Sequence, residues 1–169
     1  YSSISVSPDN QYLLVTQIEK PFSYLIPYNG FPQRISVMDM NGLIIRILAR
    51  NPSSEGAPIG FDDVSERPRN FQWRNDEPST VFFVQAVDKG LGRSKSEYRD
   101  AAYAVNPLTQ DAPVELFKTR KRFNGIIWGG KEHAIVMESM FADRKTRMNL
   151  YNPATGKFDS LYERSSNDA

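Results

Sequence analysis

The sequence predicts an all-β fold, a partial β-propeller of about three four-stranded antiparallel blades. A unit of two consecutive hairpins occurs three times, at intervals of about 46 to 67 residues, which is typical of propeller blades. Its second strand is apolar on both faces in the second and third copies, as expected for a strand between two other blades. The connections contain Gly and Pro, which interrupt the periods of both helices and strands.

The first predicted blade spans roughly residues 1–50. A strand ending near Val6 is followed by a turn centred on Asp9 and by a β-prone run over 12–15. The second hairpin closes on Asn41-Gly42, a strong two-residue turn because both residue types tolerate positive φ.

The second and third blades are predicted at roughly 69–119 and 123–165. Their apolar strands begin at Val81 and Ala134, and Trp73 and Trp128 precede the first turn where copy one has Val6. We therefore expect Val6 and the two tryptophans to occupy equivalent, mostly buried positions. Five further side chains are expected to be mostly buried: Val15, Val37, Val84, Val136 and Leu150.

Three connections stand out between the predicted strands. Residues 19–33, 51–69 and 88–100 are rich in Pro, Gly or polar residues and are predicted to be loops. No amphipathic helix is predicted, although a single helical turn at 61–66 or 94–99 is compatible with the sequence.

Composition excludes several classes of function. The formal net charge of +1 gives no reason to expect nucleic acid as a partner, and no apolar run reaches the roughly 18 residues that span a membrane. Without cysteine there is no disulfide and no thiolate chemistry. Because the chain opens at a strand without Met, we expect a soluble piece of a longer protein. Its compartment stays open, since export would depend on a signal peptide in the parent.

No catalytic residue, cofactor site or metal site is predicted. The nucleophile elbow Gly-x-Ser-x-Gly is absent, and the single histidine, His133, is expected to be an ordinary strand residue. The glycine-rich stretch 125–131 lacks the following Ser or Thr of a phosphate-binding loop and is interpreted as a hairpin turn. Asp62, Asp63 and Glu66 are too sparse for a calcium loop. The basic run 118–123 is expected to be a solvated connection between blades, with contact to an acidic partner as the alternative.

The most unusual segment is an aromatic loop over residues 21–31, which contains four aromatic side chains. A solvated linker would not carry so many. The loop either folds over the blades as packing or lines a cavity used by a ligand, and burial is the commoner role of large aromatic residues.

The stretches SVSPDNQYLLVTQIEKPFSYLIPYNGFPQRISVMDMNG, PIGFDDVSERPRNFQWR and AVDKG resemble the propeller of the prolyl oligopeptidase family of serine peptidases. The similarity is to the glutamyl endopeptidase branch in particular, and Pro-Phe-Ser-Tyr is its most specific part. This resemblance implies a two-domain parent, in which the propeller caps a C-terminal α/β-hydrolase domain that holds the Ser, Asp and His triad. None of the triad positions maps onto this sequence.

The expected function is therefore a non-catalytic propeller segment that gates or positions a peptide substrate for the hydrolase domain. Tyr24, Tyr28 and Arg34 are the candidates for the surface that faces the substrate, with Arg34 pairing an acidic side chain. The alternatives are a scaffold or ligand-binding module of a non-enzymatic protein and a carbohydrate-active propeller enzyme. Three blades cannot close a ring, so a homo-oligomer through open blade edges is also expected.

Overall fold

The computed structural model describes residues 1–57 and 60–165. These residues form three four-stranded antiparallel sheets, in each of which the strand order follows the chain. The predicted all-β partial propeller is confirmed. Among the described residues the only helix is a 3₁₀ turn at Tyr28–Gly30, and the segments 61–66 and 94–99 are irregular. None of these elements is a helix long and apolar enough to cross a membrane.

The three sheets are named blade 1, blade 2 and blade 3 in chain order. Blade 1 contains β1 (Ser3–Val6), β2 (Tyr12–Ile18), β3 (Gln33–Asp39) and β4 (Ile44–Asn51). Blade 2 contains β5 (Arg69–Trp73), β6 (Val81–Ala86), β7 (Asp100–Val105) and β8 (Val114–Thr119). Blade 3 contains β9 (Arg122–Trp128), β10 (Ala134–Met140), β11 (Lys145–Tyr151) and β12 (Phe158–Ser165).

The turn around Asp9 joins two blades. Its carboxylate accepts hydrogen bonds from the Ser7 hydroxyl at 2.5 Å, from the Gln11 backbone N–H and from the Ser79 hydroxyl in the first turn of blade 2. Burial raises the pKa of this carboxyl, but the hydrogen bonds outweigh burial and leave the pKa below its usual value. The Ser-Pro-Asp-Asn turn therefore fixes blade 1 against blade 2 as well as closing its own hairpin.

The core lies between the blades, because blade 2 is covered on both faces. Val81 and Phe83 of β6 belong to the apolar cluster shared with blade 1, whereas Phe82 and Val84 belong to the cluster shared with blade 3. The alternation follows from the pleat, which sends successive side chains to opposite faces. The prediction of a strand buried on both faces is confirmed for β6. In β10 buried and half-buried residues alternate, because no described blade covers its second face.

Val6, Trp73 and Trp128 do occupy matching positions, each as the last residue of the first strand of its blade. Trp73 is buried between blades 1 and 2, and Trp128 is half-buried against the cluster between blades 2 and 3. The prediction for Val6 is wrong, because its side chain is 48% exposed. Val6 pairs with Leu13 on the face of blade 1 that is turned away from blade 2, and no described residue supplies a neighbouring blade there.

The remaining core predictions do not all depend on a neighbouring blade, since Val15 is buried on the same open face of blade 1 as Val6. Val15, Val37, Val84 and Val136 are buried as predicted. Leu150 is only half-buried, because its neighbours in β11 point into the core and leave it on the face of blade 3 turned away from blade 2.

The two ends of the blades differ in their connections. Short turns at 7–11, 40–43, 74–80, 106–113, 129–133 and 152–157 lie at one end, which we call the turn end. The opposite end, which we call the loop end, carries the long connections 19–32 and 87–99, the described parts 52–57 and 60–68 of the connection between blades 1 and 2, and the segments 120–121 and 141–144. His133 lies in a turn just before β10 and is exposed, so its predicted place in a strand is wrong.

Candidate functional site

The loop end concentrates the exposed aromatic side chains. Within the described part of the chain, seven aromatic residues are exposed, and six of them lie at this end: Tyr1, Phe22, Tyr24, Tyr28, Phe61 and Phe141. The seventh, Tyr162, lies within β12. Since exposed apolar patches mark interaction sites, the loop end is the candidate functional surface.

The aromatic loop has a defined backbone. The Glu19 N–H donates to the Pro32 carbonyl at 2.7 Å, which closes the base of the loop next to the cis peptide bond before Pro21. At its tip the Gly30 carbonyl accepts the N–H of Ser54 at 2.9 Å, so the connection between blades 1 and 2 supports it. Hydrogen bonds therefore hold the backbone of the loop both at its base and at its tip.

The aromatic rings of this loop differ in their contacts and exposure. Phe22 and Phe31 contact each other with centroids 5.5 Å apart, which is packing within the loop. Tyr24 is fully exposed and Tyr28 is 66% exposed, so neither ring is used for packing in the described chain. Of the two interpretations of this loop, packing therefore describes Phe22 and Phe31, and contact with a ligand stays a prediction for Tyr24 and Tyr28.

Arg34 lies in β3, at the loop end of the open face of blade 1. Its guanidinium donates to the Gln17 side chain, and its Nε lies 3.5 Å from a Glu19 carboxylate oxygen. The same carboxylate receives Arg50 Nη1 at 2.9 Å. Two arginines thus share one glutamate, and one positive charge of the group is left for a further anion. The Nε of Arg34 is buried without a hydrogen-bond partner in the described chain.

The three sequence-predicted residues do not form a single cluster. Arg34 lies on a strand face, whereas Tyr24 and Tyr28 lie on the loop that connects β2 to β3. What they share is the loop end of blade 1, where the loop begins directly after Glu19, the partner of Arg34.

A second group of loop-end residues was not predicted from the sequence. The rings of Phe61 and Phe141 stack with their centroids 4.3 Å apart. Beneath them the Asp62 carboxylate accepts the backbone N–H groups of Phe141 at 2.7 Å and Ala142 at 2.9 Å. Asp62 and Asp63, an acidic pair in the sequence, therefore serve as acceptors for backbone donors, and Asp63 binds the N–H of Gly92.

The basic run 118–123 is mainly structural and is not a solvated connection. Arg122 is buried and donates to Asp88 at 2.8 and 2.9 Å and to Asp100 at 3.3 Å, joining blades 2 and 3. Arg99 also donates to Asp88, at 3.0 Å. Burial raises the pKa of Asp88, but the bonds from Arg122 and Arg99 outweigh it and hold the pKa below its usual value. Only Arg120 of these arginines is largely exposed, and it pairs with Glu97.

The single histidine of the chain lies apart from the loop end. His133 is isolated at the turn end, and its carbonyl accepts the Gly129 N–H at 2.9 Å, so the glycine-rich stretch is a hairpin turn. Across residues 1–57 and 60–165 there is no group of three or more His, Asp or Glu side chains placed to hold a metal ion.

Comparisons with known proteins identify relatives of the whole chain. No family profile matches it. It is 33% identical over 172 residues to a protein of Oryza sativa subsp. japonica named probable glutamyl endopeptidase, chloroplastic, covering 99% of this chain and 18% of that protein. A protein of the same name from Arabidopsis thaliana matches with the same identity and coverage. The chain thus spans about a fifth of the length of these relatives, and the similarity expected from its motifs is confirmed.

Two solved structures share the fold. An oligogalacturonate lyase in complex with manganese superposes with a TM-score of 0.61 at 11% identity, covering 97% of this chain and 42% of that one. The Pyrococcus horikoshii acylaminoacyl peptidase superposes with a TM-score of 0.54 at 12% identity, covering 95% of this chain and 24% of that one. At such low identities both comparisons support the fold alone.

Proposed function

Because this chain is a propeller segment related to the glutamyl endopeptidases of the prolyl oligopeptidase family, we propose that it gates or positions peptide substrates for a separate α/β-hydrolase domain. The observation that carries this proposal is the sequence match to those relatives over 99% of the chain. The parent protein is then a serine peptidase, and the segment itself contributes contacts without catalysing the reaction. Its partners are the hydrolase domain and the peptide.

The loop end supports this role through Tyr24, Tyr28 and Arg34. The two tyrosines present exposed rings that can cover a peptide, and Arg34 belongs to a group with one positive charge in excess. A charge-assisted hydrogen bond from that group would hold an acidic side chain of the peptide.

The test uses the full-length protein and peptide substrates that carry glutamate. Tyr28→Ala and Arg34→Ala should each lower kcat/KM by about tenfold, since a hydrogen bond or ring contact to the substrate is lost. Leu43→Ala, which removes a side chain that is 66% exposed at the turn end, serves as the control and should leave kcat/KM unchanged. Normal kinetics in both loop-end variants would contradict the proposed contacts.

A separate experiment addresses catalysis by the chain itself. The isolated chain should neither hydrolyse a glutamyl peptide nor react with a fluorophosphonate probe, because the nucleophile elbow is absent from its sequence and no serine of the described residues forms a hydrogen bond with the His133 side chain. Reproducible turnover together with labelling of one serine in the pure protein would contradict this part of the proposal.

A further inference from the structure

We propose that the open face of blade 1, which is turned away from blade 2, is the docking face of a further β-sheet of the parent protein, and that this sheet brings a carboxylate to Arg34. The inference rests on the proposed function for the existence of the parent and deepens it at Arg34. The anion is a carboxylate in both cases, but here it comes from the parent's own sheet and not from a peptide. This chain covers about a fifth of the length of its relatives, and the sheet would belong to the rest of the parent.

The equivalent face is covered by a sheet in the other two blades. The last residue of the first strand pairs with the second strand in each blade: Val6 with Leu13, Trp73 with Val81, and Trp128 with Ala134. Val81 and Ala134 belong to apolar clusters shared with the preceding blade. On the equivalent face of blade 1, Ile4 is 56% and Val6 48% exposed. Continuity with the two interfaces of this chain therefore indicates that a sheet packs here.

The strand register places Arg34 at a position that lies in a blade interface in blade 3. Four residues beyond Leu13 and Ala134, Gln17 pairs with Arg34 and Glu138 pairs with Arg147. Glu138 and Arg147 line a cavity of about 500 Å³ together with side chains of β8 in blade 2. Glu138 is 1% exposed, and it accepts the backbone N–H of Lys121, in the connection between blades 2 and 3, at 2.6 Å.

The charges around Arg147 balance in that interface. Its Nη1 lies 3.8 Å from Glu138 Oε1, and its Nη2 lies 2.5 Å from Glu163 Oε2. Lys145 adds a second positive charge, 2.8 Å from Glu163 Oε1. The amide of Asn149 donates to Glu138 at 3.0 Å. Two cations thus face two carboxylates, and the neighbouring amide is paired as well.

The corresponding positions of blade 1 lack both carboxylates. Gln17 stands where β10 has Glu138. Arg50, opposite Arg34 in β4, stands where β12 has Glu163. Two negative charges of the blade 3 interface are therefore replaced by one neutral and one positive side chain.

The polar atoms left over on the open face of blade 1 indicate a missing acceptor. Among the described residues Glu19 is the carboxylate that pairs with Arg34, and it is shared with Arg50. The Nε of Arg34 and the Oγ of Ser36 are buried without hydrogen-bond partners in the described chain, although nearly all buried polar groups in proteins have one. A carboxylate from a facing sheet would accept the Nε–H of Arg34 and balance the charge.

The test identifies this carboxylate by cross-linking in the full-length protein. Arg34→Lys introduces a primary amine, which a carbodiimide joins to a carboxylate in contact with it, and Glu19→Gln in the same protein removes the carboxylate that already lies there. Digestion and mass spectrometry should find position 34 linked to an Asp or Glu outside residues 1–169. Leu43→Lys combined with Glu19→Gln is the matched control, because Leu43 is 66% exposed at the turn end, and it should not form this link.

The products distinguish the possible sources of the carboxylate. No link at position 34, a link only within residues 1–169, or a link only between two copies overturns the inference. A link to a glutamate-containing peptide added in excess also overturns it and supports the proposed function. Conversely, a link to another part of the parent together with normal kcat/KM in Tyr28→Ala supports the inference and contradicts the proposed peptide contacts.

A charge exchange then tests the linked pair without cross-linking. Arg34→Glu should lower the thermal midpoint of the full-length protein, because two carboxylates would face each other across the interface. Replacing the linked Asp or Glu by Arg in the same protein should restore most of this loss, since the two effects are coupled only if the residues are in contact. A loss that is not restored overturns the inference.

Discussion

Trp73 illustrates how one residue joins two blades. Its side chain is 5% exposed in the cluster between blades 1 and 2, and its Nε1 donates to the Ser5 carbonyl at 3.1 Å. We expect Trp73→Ala to lower the free energy of unfolding by about 3–5 kcal/mol through the cavity and the lost bond. Val6→Ala, at the equivalent position of blade 1, should cost at most about 1 kcal/mol because its side chain is half exposed. Urea unfolding compares them, and equal losses would contradict the assignment.

The lowered pKa of Asp88 predicts that the folded protein becomes less stable in acid. Because its pKa in the folded protein is below the ordinary value of 3.8, the ionised carboxylate stabilises the native state above that pH and loses this contribution as pH falls through the lowered pKa. Asp88→Asn should therefore flatten the decline in stability below pH 3.8. At neutral pH it should cost about 3–5 kcal/mol, because the buried Arg122 loses its two shorter ionic bonds and keeps only the one to Asp100 at 3.3 Å.

The control for Asp88 is Glu163. Hydrogen bonds from Lys145 and Arg147 lower the pKa of Glu163 to about 2, but its side chain is 29% exposed. Solvent screens such a pair, so Glu163→Gln should cost at most about 1 kcal/mol. A loss as large as that of Asp88→Asn in acid titrations followed by circular dichroism would show that burial is not the deciding factor.

Single residues also show which structural features can be predicted from the sequence. The equivalence of Val6, Trp73 and Trp128 follows from their distance to the turns, and the structure agrees with it. The exposure of Val6 does not follow, because it depends on whether another blade covers that face. Likewise Arg122 looks like part of a solvated basic run, and only the distant Asp88 and Asp100 explain its burial.

At the scale of elements, the strands were predictable and the contacts between loops were not. Hairpin turns such as Asn41-Gly42 are local signals, so they are visible in a single sequence. The hydrogen bond that the Phe141 N–H donates to Asp62 joins residues that lie far apart in the chain, so no local pattern predicts it. The same limit explains why the stacked rings of Phe61 and Phe141 cannot be predicted from the sequence, whereas the contiguous aromatic loop can.

Substitutions at two glycines test how closely the loops pack against each other. Gly90 has φ +72°, and a Cβ at this position would collide with the Val64 carbonyl. Gly42 has φ +87° but nothing lies within 4 Å of its Cβ position. Gly42→Ala should cost about 1–2 kcal/mol from backbone strain alone, and Gly90→Ala should cost more because the loop must also move. Thermal unfolding of both variants gives the comparison, and a smaller loss at Gly90 would argue against close packing of these loops.

For the whole molecule, the two outer blade faces remain apolar and open. Ile4, Val6 and Ile47 are exposed on blade 1, and Ile127, Met148 and Tyr162 on blade 3. With a net charge of +1 offering little repulsion, the isolated chain should form a dimer through these faces, such as a six-bladed ring of two copies, or aggregate. Light scattering over a concentration series measures this. A strictly monomeric species would contradict it.

A pair of charge substitutions identifies the surface responsible. Ile4→Glu and Ile127→Glu place a charge on each open face and should shift the chain toward monomer. Leu43→Glu adds the same charge at the turn end, where Leu43 is 66% exposed, and should leave the association unchanged. If all three act alike, net charge and not the blade faces controls the assembly.

The position of blade 2 between two neighbours sets an order of local opening. Apolar clusters join blade 2 to blade 1 and to blade 3, and among the described residues no such cluster joins blade 1 directly to blade 3. Each outer blade can therefore open while the rest of the sheets stay packed, as in other arrays stabilised by nearest neighbours. The amide hydrogens of β6 would consequently be among the last to exchange with deuterated solvent, and those of β1 and β12 among the first.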